Sequence, residues 1–136
     1  MRFMILVKAS KDSEAGVMPG EELFTAMADY HEQLAKAGVL LDANGLQPSS
    51  GGWRIKWSGG KRTTIDGPFT EVKELLAGYT IIQVKSREEA VEWARRFPNP
   101  HAEDGEIEIR QMFELEDFGE IEAIDRFREM GVGRQG

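Results

Sequence analysis

The chain has 136 residues, 40% hydrophobic and 30% charged, with a formal net charge of −7 and no cysteine. Such a length suits one domain that buries a core without cross-links. The acidic balance argues against nucleic-acid or anionic-membrane partners, which need a positive footprint, and the lack of cysteine excludes disulfides, thiolate catalysis and Cys-ligated zinc.

Arg2 to Lys8 encloses the apolar run Phe3-Met4-Ile5-Leu6-Val7. It is too short for a membrane span or a signal peptide, and reads as a central strand buried on both faces. A cytoplasmic location is the expectation. Ala9 to Met18 is a polar loop. Pro19-Gly20 opens a helix to about Lys36, with Leu23, Met27, Tyr30 and Leu34 at helical spacing and Phe24, Ala28, His31 and Ala35 alongside. Glu21 and Glu22 in the first turn and Lys36 in the last suit the helix dipole, and Gly38 suits a C-terminal cap. Val39 to Leu46 is extended.

Trp53, Ile55 and Trp57 alternate with Arg54 and Lys56, Ser58-Gly59-Gly60 turns, and Lys61 to Asp66 pairs back as a β-hairpin. Asp66-Gly67-Pro68-Phe69 then reads as a tight turn. Its glycine frees the backbone and its proline fixes it. Tyr79 to Val84 is another strand. Ser86 and Glu89 form a capping box for a helix to about Phe97, stopped by Pro98 and Pro100. Ile107 to Met112 is the last strand.

The order β-α-β-(β-hairpin)-β-α-β predicts an α+β fold of ferredoxin-like plan, an antiparallel sheet with both helices on one face. The other face is left bare, and a second copy covering it would make a homodimer. The tail from Glu114 carries seven acids and three bases. Phe118, Ile121, Ile124 and Phe127 predict a short amphipathic helix from about Glu120 to Glu129 that docks on a partner subunit or the domain mouth, with a frayed end from Gly131 to Gly136. The domain division is 1–118 and a tail, 119–136.

Asp66-Gly67-Pro68-Phe69, followed by Glu71-Val72-Lys73-Glu74 and Gly78, resembles the DGPF subgroup of the YCII-related family. Lys8-Ala9, Glu14-Ala15-Gly16, Lys36-Ala37-Gly38-Val39-Leu40, Ser58-Gly59-Gly60-Lys61, Asn99-Pro100 and Ile107-Glu108-Ile109-Arg110 extend the likeness over roughly residues 1 to 118. The resemblance implies a dimeric α+β barrel of ferredoxin-like protomers. It also implies a His–Asp pair, with the histidine at the place of His31 and the aspartate before a proline after the second helix. This chain has Asn99 there, so Asp66 is the substitute by position. DGPF-like domains also resemble components associated with extracytoplasmic-function sigma factors.

His31 can exchange protons at neutral pH, or can be a core-edge histidine bonded to a backbone carbonyl. Asp66 can orient it, bind a ligand's amine or hydroxyl, or serve only as a turn acceptor. Tyr30 would line the same pocket. Lys73 is a candidate for an anionic ligand, with Glu71 opposite it on an extended segment. Arg54, beside Lys56 and two tryptophans, is either a ligand contact or an edge-solvating charge. Arg2 and Arg110 are candidates to point into the barrel. His31 and His101 lack metal-ligand spacing, so neither metal nor cofactor is expected. Three roles follow: a metal-free acid/base enzyme using His31 and Asp66, a non-catalytic ligand-binding or regulatory dimer, or a purely structural dimer.

Overall fold

The computed structural model describes residues 1–133. Strands β1 (Arg2–Lys8), β2 (Leu40–Gly45), β5 (Leu76–Gln83) and β6 (Ile107–Gln111) form one sheet in the order β2-β5-β1-β6, every neighbouring pair antiparallel. Strands β3 (Trp53–Ser58) and β4 (Lys61–Asp66) form a separate two-stranded ribbon. The helices are α1 (Lys11–Glu14), α2 (Glu21–Lys36), α3 (Arg87–Arg95) and α4 (Glu122–Met130). The chain is thus α+β with antiparallel sheets.

Strand alternation sorts the main sheet into two faces. Ile5 lies opposite Thr80 on β5 and Ile109 on β6, and Phe3 lies opposite Ile82. These side chains meet Tyr30 and Leu34 of α2 and Ala90 and Trp93 of α3 in one core. Met4, Leu6, Tyr79 and Ile81 point the other way and stay partly exposed.

Several local expectations change. Ala9 to Met18 is not all loop: Ser10 and Ser13 cap each other reciprocally and nucleate the single turn α1. Phe24 is exposed because only Tyr30 and Leu34 of α2 reach the core fully. The segment of Glu71 and Lys73 is a 3₁₀ turn, Val72–Glu74, rather than extended. Ser86 accepts from Glu89 N–H, but the Glu89 carboxylate bonds Lys85 N–H instead of completing the box at Ser86.

The amphipathic tail helix forms as α4. Ile124 is buried, and the 3₁₀ turn before it (Leu115–Phe118) buries Leu115. Gly131 does not begin a frayed end. It adopts φ +77° and closes α4, with Val132 N–H reaching Phe127 O. Residues 134–136, also expected to fray, lie outside the described residues. Arg2 is buried and paired with Glu114 at 2.8 Å, whereas the Arg110 side chain is 71% exposed. No helix among the described residues is long and apolar enough to cross a membrane.

Candidate functional site

His31 sits where α2 crosses β5. Its Nδ1 lies 2.7 Å from Met27 O, one helical turn earlier, and its Nε2 lies 2.9 Å from Thr80 Oγ1. A carbonyl only accepts, so Nδ1 carries the proton. In the neutral ring Nε2 is then the acceptor, and the Thr80 hydroxyl donates to it. The ring also lies edge-on to Tyr30 and Phe97, with centroids 5.4 and 6.0 Å away. Both ring nitrogens are engaged, and neither bonds Asp66. Thr80 is 2% exposed, so the far side of this pair is closed to solvent.

Tyr30 is a core residue. Its hydroxyl donates to Trp93 O at 2.7 Å, and burial pushes its pKa up to about 12 against the lowering influence of Arg96. Asp66 ends β4 on the exposed ribbon, opposite Trp53. Arg54 stacks over Phe69 with its guanidinium carbon 3.7 Å from the ring centroid, a cation–π contact. Lys73 accepts a hydrogen bond from Lys8 Nζ through its main-chain carbonyl, and Glu71 is exposed beside it. The structure therefore brings Tyr30 and His31 together in one place. It stacks Arg54 on Phe69 in another, at the base of the ribbon, while Asp66 lies across from Trp53 on the ribbon's other side.

That base is tightly held. The Ser49 hydroxyl donates to Glu14 Oε1, Ser49 N–H donates to Glu14 Oε2 at 2.9 Å, and Phe69 N–H donates to Ser49 Oγ at 3.0 Å. Gly67 N–H bonds Gly52 O at 2.9 Å, and the Gly67–Pro68 peptide is cis. A side chain at 67 would collide with the Ser49 carbonyl. Glycine is required there for close backbone approach.

Asn99 also has a structural role. Its Nδ2 donates to Glu103 O at 2.7 Å, and its Oδ1 accepts from His101 N at 3.1 Å. A carboxylate could make only the second bond. Asn99 lines a cavity of about 290 Å³ with Phe97, Pro98, Pro100, Glu106 and Ile107. Phe97 is the wall between that cavity and His31. A larger cavity of about 550 Å³ lies between α3 and β6, with Phe3 and Ile109 inside and Arg87 and Arg95 on α3.

Sequence reasoning missed a third cluster, on the sheet face away from α2 and α3. A β-bulge at Leu41 shifts β2 so that Asp42 lies opposite Ile81 and Asn44 opposite Tyr79. Without it Asp42 would face Thr80 and the core; bulges re-aim side chains in this way. The Tyr79 hydroxyl donates to Asp42 Oδ2 at 3.1 Å, and Asn44 Nδ2 donates to Tyr79 Oη at 3.0 Å. Ala43 N–H donates to Asp42 Oδ1 at 2.9 Å. The signal was present in Leu40-Leu41-Asp42, where alternation breaks. Among the described residues no group of three His, Asp or Glu side chains could hold a metal ion.

A small α+β sheet protein with a histidine on its first long helix is the class these features define. The chain belongs to the YCII-related domain family, whose model matches residues 1–116. It is also similar to the uncharacterized protein R00369 of Rhizobium meliloti (strain 1021), 29% identical over 92 residues, covering 68% of this chain and 74% of that protein.

Proposed function

We propose that the protein is a non-catalytic binding dimer of the DGPF subgroup: two ferredoxin-like protomers pair their open sheet faces into an α+β barrel, with a cleft for a small polar molecule. The strand order β2-β5-β1-β6 with its two connecting helices supports the ferredoxin-like reading, in which the ribbon counts as an insertion. Met4, Leu6 and Ile81 supply apolar surface for a partner. The chain exposes 9846 Å², against about 7,100 Å² for a folded monomer of its 15.3 kDa mass. A standard interface removes about 800 Å² from each partner, so pairing of the sheet faces would account for part of that surplus.

The observation that carries the binding role is the Asp42–Tyr79–Asn44 cluster. Its carboxylate is oriented by a phenol, an amide and a main-chain N–H, and remains exposed. It suits a ligand amine or hydroxyl. The test is native mass spectrometry of freshly purified protein: a dimer carrying an extra small mass is expected, lost in Asp42→Asn. A dimer whose retained mass survives that substitution would reject this site.

A second reading keeps His31 as an acid/base group, without the Asp66 partner, which lies apart on the ribbon. The fixed Nδ1–H favours it, because it leaves Nε2 as a single defined proton acceptor. It requires Thr80 to move aside. Under this reading His31→Ala abolishes turnover without unfolding the chain.

A further inference from the structure

We infer that β6 is a second self-association surface: two copies of this chain pair their β6 edges antiparallel about Ile109 and join their sheets into one. The contact goes beyond the dimer proposed above, because it uses the open edge of a strand and not the sheet face.

β6 ends the strand order β2-β5-β1-β6, so one of its edges is free. Hydrogen-bond parity fixes which atoms lie on that edge. Lys8 N–H bonds Glu106 O and Met112 N–H bonds Arg2 O, at the two ends of the β1–β6 ladder. In an antiparallel pair, residues bonded across the ladder alternate with residues that are not. Glu108 and Arg110 therefore bond β1, while the N–H and C=O groups of Ile107, Ile109 and Gln111 point outward. No other group among the described residues bonds those outward atoms.

Sheet edges are commonly guarded by bulges, proline or like charges. β2, the opposite edge, has the bulge at Leu41. β6 pairs with β1 in unbroken register from Ile107 to Gln111 and contains no proline. Its two charges are opposite in sign and lie on one face, with the Glu108 side chain 41% and the Arg110 side chain 71% exposed. Within the chain Glu108 lies 3.3 Å from Arg110 and 3.6 Å from Lys8.

These residues select one register. Outward groups must meet outward groups, so a two-fold pairing centres on a residue and not between residues. Centred on Ile109, every residue of β6 has a partner in the other β6. Ile107 then meets the partner's Gln111, and Glu108 meets the partner's Arg110, each contact occurring twice. Glu108 and Arg110 fall in the non-hydrogen-bonded pairs, where side chains approach most closely. Centring on 108 opposes the two Glu108 carboxylates and leaves Gln111 without a strand partner. Centring on 110 opposes the two Arg110 side chains and leaves Ile107 without one. Like charges directly opposite destabilise a sheet. On the helix side Ile109 meets the partner's Ile109, beside the cavity of about 550 Å³ that Ile107, Ile109, Gln111 and Val91 line. Pairing uses up both β6 edges, so the contact closes at two copies. Strands of 5 residues bury little area, and the contact forms well above micromolar concentration.

Hydrogen exchange followed residue by residue by NMR reads the edge itself. As the natural chain is concentrated, the amides of Ile107, Ile109 and Gln111 should slow by about tenfold or more. Sedimentation velocity should show the assembly doubling in mass over the same range. E108R and R110E each set like charges opposite in both cross-strand pairs, and each should weaken the association by about tenfold or more. An equimolar mixture of the two regains opposite charges in both pairs and should return to within about threefold of the natural Kd. Q111P removes an outward N–H, where an edge strand tolerates proline, and should abolish the doubling. Circular dichroism checks each fold, and the charge variants decide the matter if Q111P does not fold. The mass that Q111P keeps reports the sheet-face dimer by itself. A natural chain that stays dimeric with unprotected outward amides overturns the edge contact and leaves the face dimer standing. A monomeric Q111P beside a natural chain that still doubles does the reverse. A mixture of E108R and R110E as weak as its components overturns the edge contact. Protection that survives both single charge reversals also overturns it, because some other strand then occupies the edge.

Discussion

The His31 imidazole and the Thr80 hydroxyl meet at 2.9 Å and join α2 to β5. The carbonyl of Met27 fixes the ring's tautomer, so the threonine must be the donor while the ring is neutral. Thr80→Val keeps the shape and removes the donor. It leaves a partly buried nitrogen unsatisfied, at about 1–2 kcal/mol. Urea unfolding should show a lower midpoint at unchanged slope. A midpoint equal to that of the natural chain would mean that water already serves Nε2.

The turn at Gly67 predicts a contrast between two small substitutions. Ser49→Ala leaves Phe69 N–H without its acceptor and removes the hydroxyl bond to Glu14 Oε1, while the main-chain bond to Oε2 survives, at about 1–3 kcal/mol. Gly67→Ala drives a methyl group into the Ser49 carbonyl, and neighbouring backbone cannot yield as a side chain can. About 3 kcal/mol or more is expected. Hydrogen exchange should show faster opening of residues 49–69 in both variants, with Gly67→Ala the more severe. Equal stability for Gly67→Ala and the natural chain would contradict the close approach.

Asn99→Asp restores the acid that the family resemblance places before this proline. It also removes the donor to Glu103 O and sets an anion against that carbonyl. Destabilisation by about 1–2 kcal/mol is expected. The loop from 99 to 105 should exchange faster, and His31 stays behind Phe97. A more stable Asn99→Asp protein would show that the amide bond contributes nothing.

Tyr30 predicts an alkaline limb. Its folded pKa is about 12, against an ordinary value of 10.0. Between those values the folded chain holds a proton that the unfolded chain has released. The stability due to the neutral buried phenol is full below pH 10 and falls as pH rises toward 12. Phenolate absorbance should report one tyrosine that ionises late, and Tyr30→Phe should remove that component. Persistence of the late component in Tyr30→Phe would assign it elsewhere.

The strands and long helices were legible because they follow short-range rules. Phe3 to Val7 is an apolar run, Trp53 to Trp57 alternates, and Leu23, Met27, Tyr30 and Leu34 recur at helical spacing. Glu71 to Glu74 was less legible, since 3₁₀ turns lack a strong side-chain period. Ser10 and Ser13 carried a capping signal within a segment that otherwise reads as loop.

The sites divide along the same line. Sequence alone determined that His31 borders an apolar helical stripe and that Asp66 ends a hairpin strand, because neighbours along the chain decide those placements; an acid at the place of Asn99 is what the family resemblance implies. Tertiary structure decided what each group touches. Thr80 is 49 positions from His31, Tyr79 is 37 from Asp42, and Phe69 is 20 from Ser49. Strand pairing with the bulge at Leu41 brings Tyr79 to Asp42, whereas packing of α2 on β5 brings His31 to Thr80 and the close approach of two connecting segments brings Phe69 to Ser49.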